Sequence, residues 1–157
     1  MIYLNSFDHF TMTITGQLIS ALLGTIGFAI LFGIPRNHYL STGAIGVAGW
    51  LVYILLQRYC GSGVVECNLA ATIVVCILSR IAARMLKAPN TIFIIGGIFP
   101  LVPGGGIFWT AYYLVSNQLH LALQSGFTAI KVVFAIVLGI VLVSALPAKL
   151  FNWNSNR

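Results

Sequence analysis

Two prolines and three glycines interrupt the centre of an apolar stretch, IFIIGGIFPLVPGGGIFWTAYYL, which covers residues 92–114. Pro100 and Pro103 each lack an amide hydrogen and clash with the preceding turn of a helix, and Gly104, Gly105 and Gly106 leave their backbone amides accessible. A helix that restarts after such a break presents unpaired amides to an anion, and the helix that ends before it presents unpaired carbonyls to a cation. We therefore predict that the break binds a small carboxylate, with an ammonium group or a coupling cation on its carbonyl side.

Three side chains outside the break are further candidates for contact with a bound substrate. Lys131 lies about one helical turn inside another apolar run, where its ammonium group either reaches outward to the membrane surface or turns into the bundle. Glu66 is the only acid besides Asp8, and it could form an ion pair with Lys131 across the bundle. Tyr112 follows the break closely enough to line a cavity there.

Groups that catalysis or metal binding would require are sparse. The cysteines Cys60, Cys67 and Cys76 form no CxxC motif, and no histidine cluster completes a metal site. His38 and His120 are expected in solvated positions, without a nucleophile or a metal ligand at a useful spacing. We therefore expect neither an enzyme nor a cofactor-binding protein.

The composition of the chain indicates which solvent surrounds the break. Of the 157 residues, 59% are hydrophobic and 6% are charged, and the mean hydropathy is +1.00, whereas about a quarter of the residues in soluble domains are charged. Such a chain needs the lipid bilayer as its solvent. The net charge of +6 does not indicate nucleic-acid binding, because the basic residues are scattered and no recognition motif accompanies them.

Five stretches are near the length of about 20 apolar residues that a membrane-spanning helix needs: residues 16–34, 42–59, 64–83, 92–116 and 127–146. The predicted fold is one all-α domain over residues 1–157, a polytopic membrane bundle of five helices with the fourth broken at the PxxPGGG segment. The first stretch has the length of a full span and no Lys or Arg before it, so we expect it to be retained and not cleaved as a signal peptide. Small residues at helical spacing are expected to let helices pack closely: Gly24, Gly27, Gly43, Gly46 and Gly49.

The positions of Lys and Arg predict the orientation, because short cytoplasmic loops hold the excess of these residues. With five crossings, three basic segments fall on one side: Arg36, then Arg80, Arg84 and Lys87, then Lys149 and Arg157. The N-terminus is therefore expected outside and the C-terminus in the cytoplasm. A re-entrant loop at the break would leave four crossings and move the tail outside, against this charge bias.

The depth of the break in the membrane bears on two interpretations, a simple kink and a substrate-binding segment. At about 1.5 Å per residue, Gly104 lies about 18 Å from the inner end of its span, near the middle of a hydrocarbon core about 30 Å thick. A proline kink healed by neighbouring helices is one interpretation. Two prolines and three glycines exceed what a kink needs, and secondary transporters place unwound, substrate-binding segments at this depth.

The sequence also resembles a known family. The runs GFAILFGIPRNHYLSTGAIGVAGWLVY, SRIAARMLKAPNTIFIIGGIFPLVPGGGIFWTAYYL and AIKVVFAIVLGIVLVSALP are similar to the small subunit of split threonine/serine exporters, the ThrE-like family. The resemblance covers nearly the whole chain, and its most specific piece is the P-x-x-P-G motif from Pro100 to Gly104. It implies a five-span domain that works with a larger ThrE-like membrane subunit and exports threonine and serine, or succinate in some split pairs.

The leading hypothesis is therefore a subunit of a two-component secondary exporter of small carboxylates in a bacterial plasma membrane. Two alternatives stay open: an accessory or scaffold subunit that does not transport, and a carrier assembled from copies of this chain alone. If the larger subunit also has five spans, a tandem arrangement inverts one relative to the other and places a site at their interface.

Overall fold

The computed structural model describes residues 13–147, which form helices joined by short turns. The helices are α1 (Ile14–Leu31), α2 (Tyr39–Tyr59), α3 (Val64–Met85), α4 (Asn90–Ile98), α5 (Gly104–Val115) and α6 (Leu119–Ala145), with 3₁₀ turns at Arg36–His38 and Phe99–Leu101. Four helices, α1, α2, α3 and α6, are each long and apolar enough to cross a membrane. The segment formed by α4, its 3₁₀ turn and α5 meets the same criteria as a pair, bent by 51° at the break. The predicted all-helical membrane bundle with a broken fourth segment is thus confirmed.

Three helices end in the same backbone motif, in which one residue of left-handed conformation reverses the chain. Gly33, Lys87 and Asn117 have φ angles of 65°, 49° and 55°. The amide after each of them donates to the carbonyl five residues back, as Gln118 does to Tyr113 at 2.8 Å. This Schellman motif satisfies carbonyls that a helix end leaves unpaired, and it fixes where α1, α3 and α5 stop.

The connection between α5 and α6 is shorter than the sequence predicted. Most of residues 117–126, expected as a polar loop, belong to α6, which begins at Leu119. His120, expected in that loop, therefore lies in the first turn of a helix. This part of α6 packs on α5: Ala122 is buried, and a Cβ on Gly126 would lie 3.2 Å from the Cγ2 atom of Thr110.

The core lies where α2, α3, α4 and α6 meet. Its buried residues are Ile45, Ala71, Val75, Phe93, Leu101, Val132 and Ile136. Glycines let these helices approach closely: a Cβ on Gly46 would meet Thr25 of α1, and a Cβ on Gly97 would lie 2.8 Å from Ile45.

The glycines of α1 behave differently from those of α2. A Cβ on Gly24 or Gly27 would have nothing within 4 Å among the described residues. The expectation that these two glycines pack against another helix of the chain is therefore wrong. Within α1, the buried positions are instead Gly16, Ala21, Thr25 and Ala29.

One end of the bundle collects most of the basic residues. Both terminal nitrogens of Arg80 donate at 3.0 Å to carbonyls at the end of α6, those of Ser144 and Leu146. The ring of His38, before α2, contacts Phe93 of α4 at a centroid distance of 5.4 Å. The ends of α3 and α6 and the starts of α2 and α4 therefore meet here, and we name this the basic end; it carries Arg36, Arg80, Arg84 and Lys87. Asp8, Lys149, Trp153 and Arg157 lie outside the described residues.

Replacement of Arg80 by Met is expected to destabilise the bundle. The sequence explained Arg80 only as a topology signal, yet its two hydrogen bonds satisfy carbonyls at the C-terminus of α6. Their loss should cost about 1.5 to 3 kcal/mol, the range for hydrogen bonds to a charged group. Thermal melting of the detergent-purified protein measures this. Lys87→Met removes the same charge from the same end and is the control; equal melting temperatures for the two variants would contradict the prediction.

Candidate functional site

The break between α4 and α5 is built by its two prolines. After the 3₁₀ turn, Val102 is extended and Pro103 takes φ −75° and ψ 55°, an inverse γ-turn. The amide of Gly104 closes this turn on the carbonyl of Val102 at 2.7 Å. Because Pro103 has no amide hydrogen, the carbonyl of Phe99 is bonded instead by Val102, at 3.2 Å.

This turn leaves backbone groups unpaired on both sides of the break. The amides of Gly105 and Gly106, in the first turn of α5, donate to no backbone carbonyl of the described residues. The carbonyl of Pro100 also lacks a backbone donor in the described bundle. Pro103, three residues later, has no amide hydrogen, and the amide of Gly104, four residues later, donates to Val102 instead. Unpaired amides at the start of a helix attract an anion, and unpaired carbonyls attract a cation or an ammonium group.

A cavity of about 230 Å³ lies against the break, and we name it the break cavity. Pro100, Pro103 and the three glycines line it together with residues of α2, α3 and α6. Its polar side chains are those of Trp50, Tyr53, Asn68 and Thr128, and none of its lining residues is charged. Asn68 lies near the start of α3 and Tyr53 in the last third of α2, so the cavity is in the half of the bundle away from the basic end.

The residues of the predicted site therefore divide into two groups. The structure brings Pro100, Pro103, Gly104, Gly105 and Gly106 to one cavity. It does not bring Lys131, Tyr112 or Glu66 there; each of these three side chains lies elsewhere on the surface of the described bundle.

Their surroundings explain why. The ammonium nitrogen of Lys131 lies 5.1 Å from the ring centroid of Phe127, one turn nearer the start of α6. Tyr112 is half exposed, with its ring against Trp109 and Tyr113 on the same helix. The carboxylate of Glu66 folds back over Gly63, the residue before α3, where an acid interacts favourably with a helix N-terminus. Lys131, the proposed ion-pair partner of Glu66, makes its contact with Phe127 on its own helix.

Comparison with known proteins decides the family. A family model described as "Threonine/Serine exporter, ThrE" matches residues 17–146, nearly all of the described bundle. This chain belongs to the threonine/serine exporter family. No curated protein and no solved structure is similar enough to count as a match. The resemblance stated from the sequence is confirmed at the level of the family, which makes the chain a multi-pass membrane protein of a transporter family.

In this exporter-family bundle, the break cavity contains residues that the sequence did not single out. Asn68 is buried, with 3% of its surface exposed, and its amide nitrogen donates to the carbonyl of Val64 at 2.7 Å. Its side-chain oxygen keeps its capacity to accept a hydrogen bond. Trp50 and Tyr53 stack on each other at 4.9 Å. An amide inside the apolar run of α3 was the available signal for Asn68, whereas Trp50 and Tyr53 resemble ordinary membrane aromatics.

Two further cavities are less suited to a small polar solute. One, of about 240 Å³, shares Trp50 and Pro100 with the break cavity and adds Gln17 and Ser20 of α1. The other, of about 470 Å³, lies between α5 and α6 and is almost entirely apolar. Its one hydroxyl, that of Thr110, already donates to the carbonyl of Gly106 at 2.6 Å, so this groove suits a hydrocarbon chain better than an amino acid.

Proposed function

We propose that this chain is the membrane subunit of a two-component secondary exporter of small carboxylate-bearing metabolites, of the threonine and serine type. The observation that carries the proposal is the glycine-lined start of α5, which borders a small, partly open cavity of a bundle that belongs to the exporter family. A volume of about 230 Å³ is below the range of about 300 to 1,000 Å³ for drug-sized sites. The cavity therefore favours a solute of few atoms.

The two sides of the break are suited to bind opposite ends of an amino acid. The free amides of Gly105 and Gly106 suit the carboxylate, since a helix N-terminus carries about half a positive charge. The unpaired carbonyl of Pro100 and the side-chain oxygen of Asn68 suit the ammonium group. The hydroxyl of Thr128 already donates to Gln124 at 2.9 Å, so it can accept a hydrogen bond from a substrate hydroxyl.

The charge of the cavity favours a zwitterion over a dicarboxylate. Its lining has one set of free helix amides and no Lys or Arg. A dicarboxylate would bring two negative charges to a largely apolar cavity, and a charge that is even partly removed from water without a partner is disfavoured. Threonine or serine brings one carboxylate and supplies its own compensating ammonium group.

The proposal includes a larger membrane partner, and α5 is the helix that supports this. None of its residues is buried, and it packs mainly against α6. Phe108, Trp109 and Tyr112 are each about half exposed or more. In such an assembly the basic end faces the cytoplasm, as the distribution of Lys and Arg favours, and the N-terminus lies outside.

Purification of the tagged chain from its own membrane in mild detergent, followed by export assays, tests the proposal. We expect a larger membrane protein in stoichiometric amount, and export of labelled threonine or serine, but not of succinate, that is lost when this chain is deleted. A partner without any export dependent on this chain would favour the scaffold alternative. A defined oligomer of this chain alone would overturn the two-component arrangement.

A further inference from the structure

Four buried polar side-chain atoms have no hydrogen-bond partner in the described part of the chain. They are Nδ1 of His38, Oγ1 of Thr42, Oγ of Ser79 and Oδ1 of Asn90. Other buried polar groups of the bundle are satisfied locally: the hydroxyl of Thr25 donates to Ala21, and that of Thr72 donates to Asn68, each at 2.7 Å. Leaving a buried polar group unpaired costs about 1 to 3 kcal/mol, so four unpaired groups need an explanation.

These four atoms belong to three segments that meet around Phe93 of α4, near the basic end. His38 contacts the Phe93 ring edge-on, and Asn90 lies about one turn before Phe93 on the same helix. The Cγ2 atom of Thr42 occupies the space that a Cβ on Gly96 would need, and Val75 closes on Gly97 in the same way. Because α3 and α4 run in opposite directions, Ser79, one turn after Val75, lies at the level of Phe93. Phe93 itself is fully buried.

We infer that His38, Thr42, Ser79 and Asn90 form a second solute site, the inner polar site, which Phe93 fills in this conformation. Each of the four atoms can accept a hydrogen bond, and two belong to hydroxyls that can also donate. The set therefore suits the ammonium and hydroxyl groups of a small amino acid better than its carboxylate. This inference rests on the proposed function, because it places the site on the route from the break cavity to the basic end.

The packing of α4 shows how the two sites can communicate. The core residues Ile45, Val75 and Leu101 lie between the break cavity and the inner polar site. Gly96 and Gly97 of α4 have no side chains, and α2 and α3 pack closely against them. A shift of this short helix would move Phe93 away from the polar atoms. Alternating access in secondary transporters uses rocking or gating of one part of the protein against another, and α4 is the part that would act as a gate here.

Thiol labelling tests the inner polar site directly. In a Cys60→Ala background, which removes the exposed thiol, Ser79→Cys is treated in the assembled complex with a membrane-impermeant maleimide added at the basic end. Cys76, one turn earlier on α3 and buried, is the internal control, and peptide mass spectrometry quantifies both positions. We expect the thiol at position 79 to react at least about tenfold faster than Cys76, threonine to slow the reaction, and Phe93→Ala to accelerate it. Equal, slow reaction at both positions, with Phe93 and with Phe93→Ala, would overturn the inner polar site. Fast labelling at position 79 that threonine does not slow would show a water-filled space that binds no solute.

A second pair of variants separates a solute site from a structural one. Thr42→Val keeps the shape of the side chain and removes an unpaired hydroxyl, so its melting temperature should be unchanged or higher. If the hydroxyl binds the solute, export falls about tenfold, the value of one hydrogen bond of about 1.4 kcal/mol. Thr25→Val, at a hydroxyl that is paired within α1, should leave export unchanged. Full export by Thr42→Val would contradict the inference. A chain without any export would contradict the proposed function, while the labelling experiment would still decide whether the site opens.

Discussion

Gly105→Leu is expected to reduce threonine export at least about tenfold while the protein stays folded in the membrane. Gly105 lines the break cavity, and a Cβ on it would have nothing within 4 Å. The leucine side chain therefore occupies open space beside the break without displacing a neighbouring helix. Loss of one charge-assisted contact of about 1.5 kcal/mol accounts for a tenfold effect.

The control for this variant is Gly27→Leu in α1. Gly27 also lies within a helix with open space at its Cβ position, so the same side chain is added at a matched site away from the break cavity. Leucine favours a helix over glycine at both positions, so neither variant should lower the melting temperature. Export rates in cells that carry the larger subunit, with the amount of complex measured in parallel, compare the two. Unchanged export by Gly105→Leu would remove the break from the mechanism.

The break residues could be predicted from the sequence because proline and glycine act on their own backbone. Pro103 removes one amide wherever it stands, and the three glycines after it begin a helix without covering its amides. The structure adds the γ-turn that diverts the amide of Gly104. It also adds Asn68, whose position at the cavity depends on how α3 packs and not on any local pattern.

Other features could not be predicted from the sequence, because they depend on which face of a helix meets another. Gly24 and Gly46 have the same small side chain and lie in similar apolar runs, yet only Gly46 contacts a neighbouring helix. Lys131 had two possible directions in the sequence, and its contact with Phe127, four residues earlier, shows the one it takes. The start of α6 was missed because residues 119–126 are polar enough to resemble a loop, although α5 covers one of their faces.

Gly97→Val is expected to destabilise the core of the bundle. A Cβ on Gly97 would lie 2.8 Å from Cγ2 of Ile45 and 3.0 Å from Cγ1 of Val75, and both of these residues are buried in the core. Valine adds two more carbons, so α4 must separate from α2 and α3. Overpacking of this kind costs about 1 to 3 kcal/mol or more. A lower melting temperature and a smaller monodisperse yield in detergent are the expected results.

Two comparisons assign this effect to the contact itself. Gly24→Val adds the same side chain in α1, where the space is open, and should melt near the unsubstituted protein. In a double-mutant cycle, Val75→Ala should recover part of the loss caused by Gly97→Ala, because it removes one of the two groups that the new methyl meets. Additive losses would show that α4 does not rest on Val75.

Gly97 also lies on α4 between the break cavity and the inner polar site, so the mild variant Gly97→Ala connects packing to transport. If α4 moves during export, this variant slows export beyond its loss of folded protein, whereas a fixed α4 makes the two fall together.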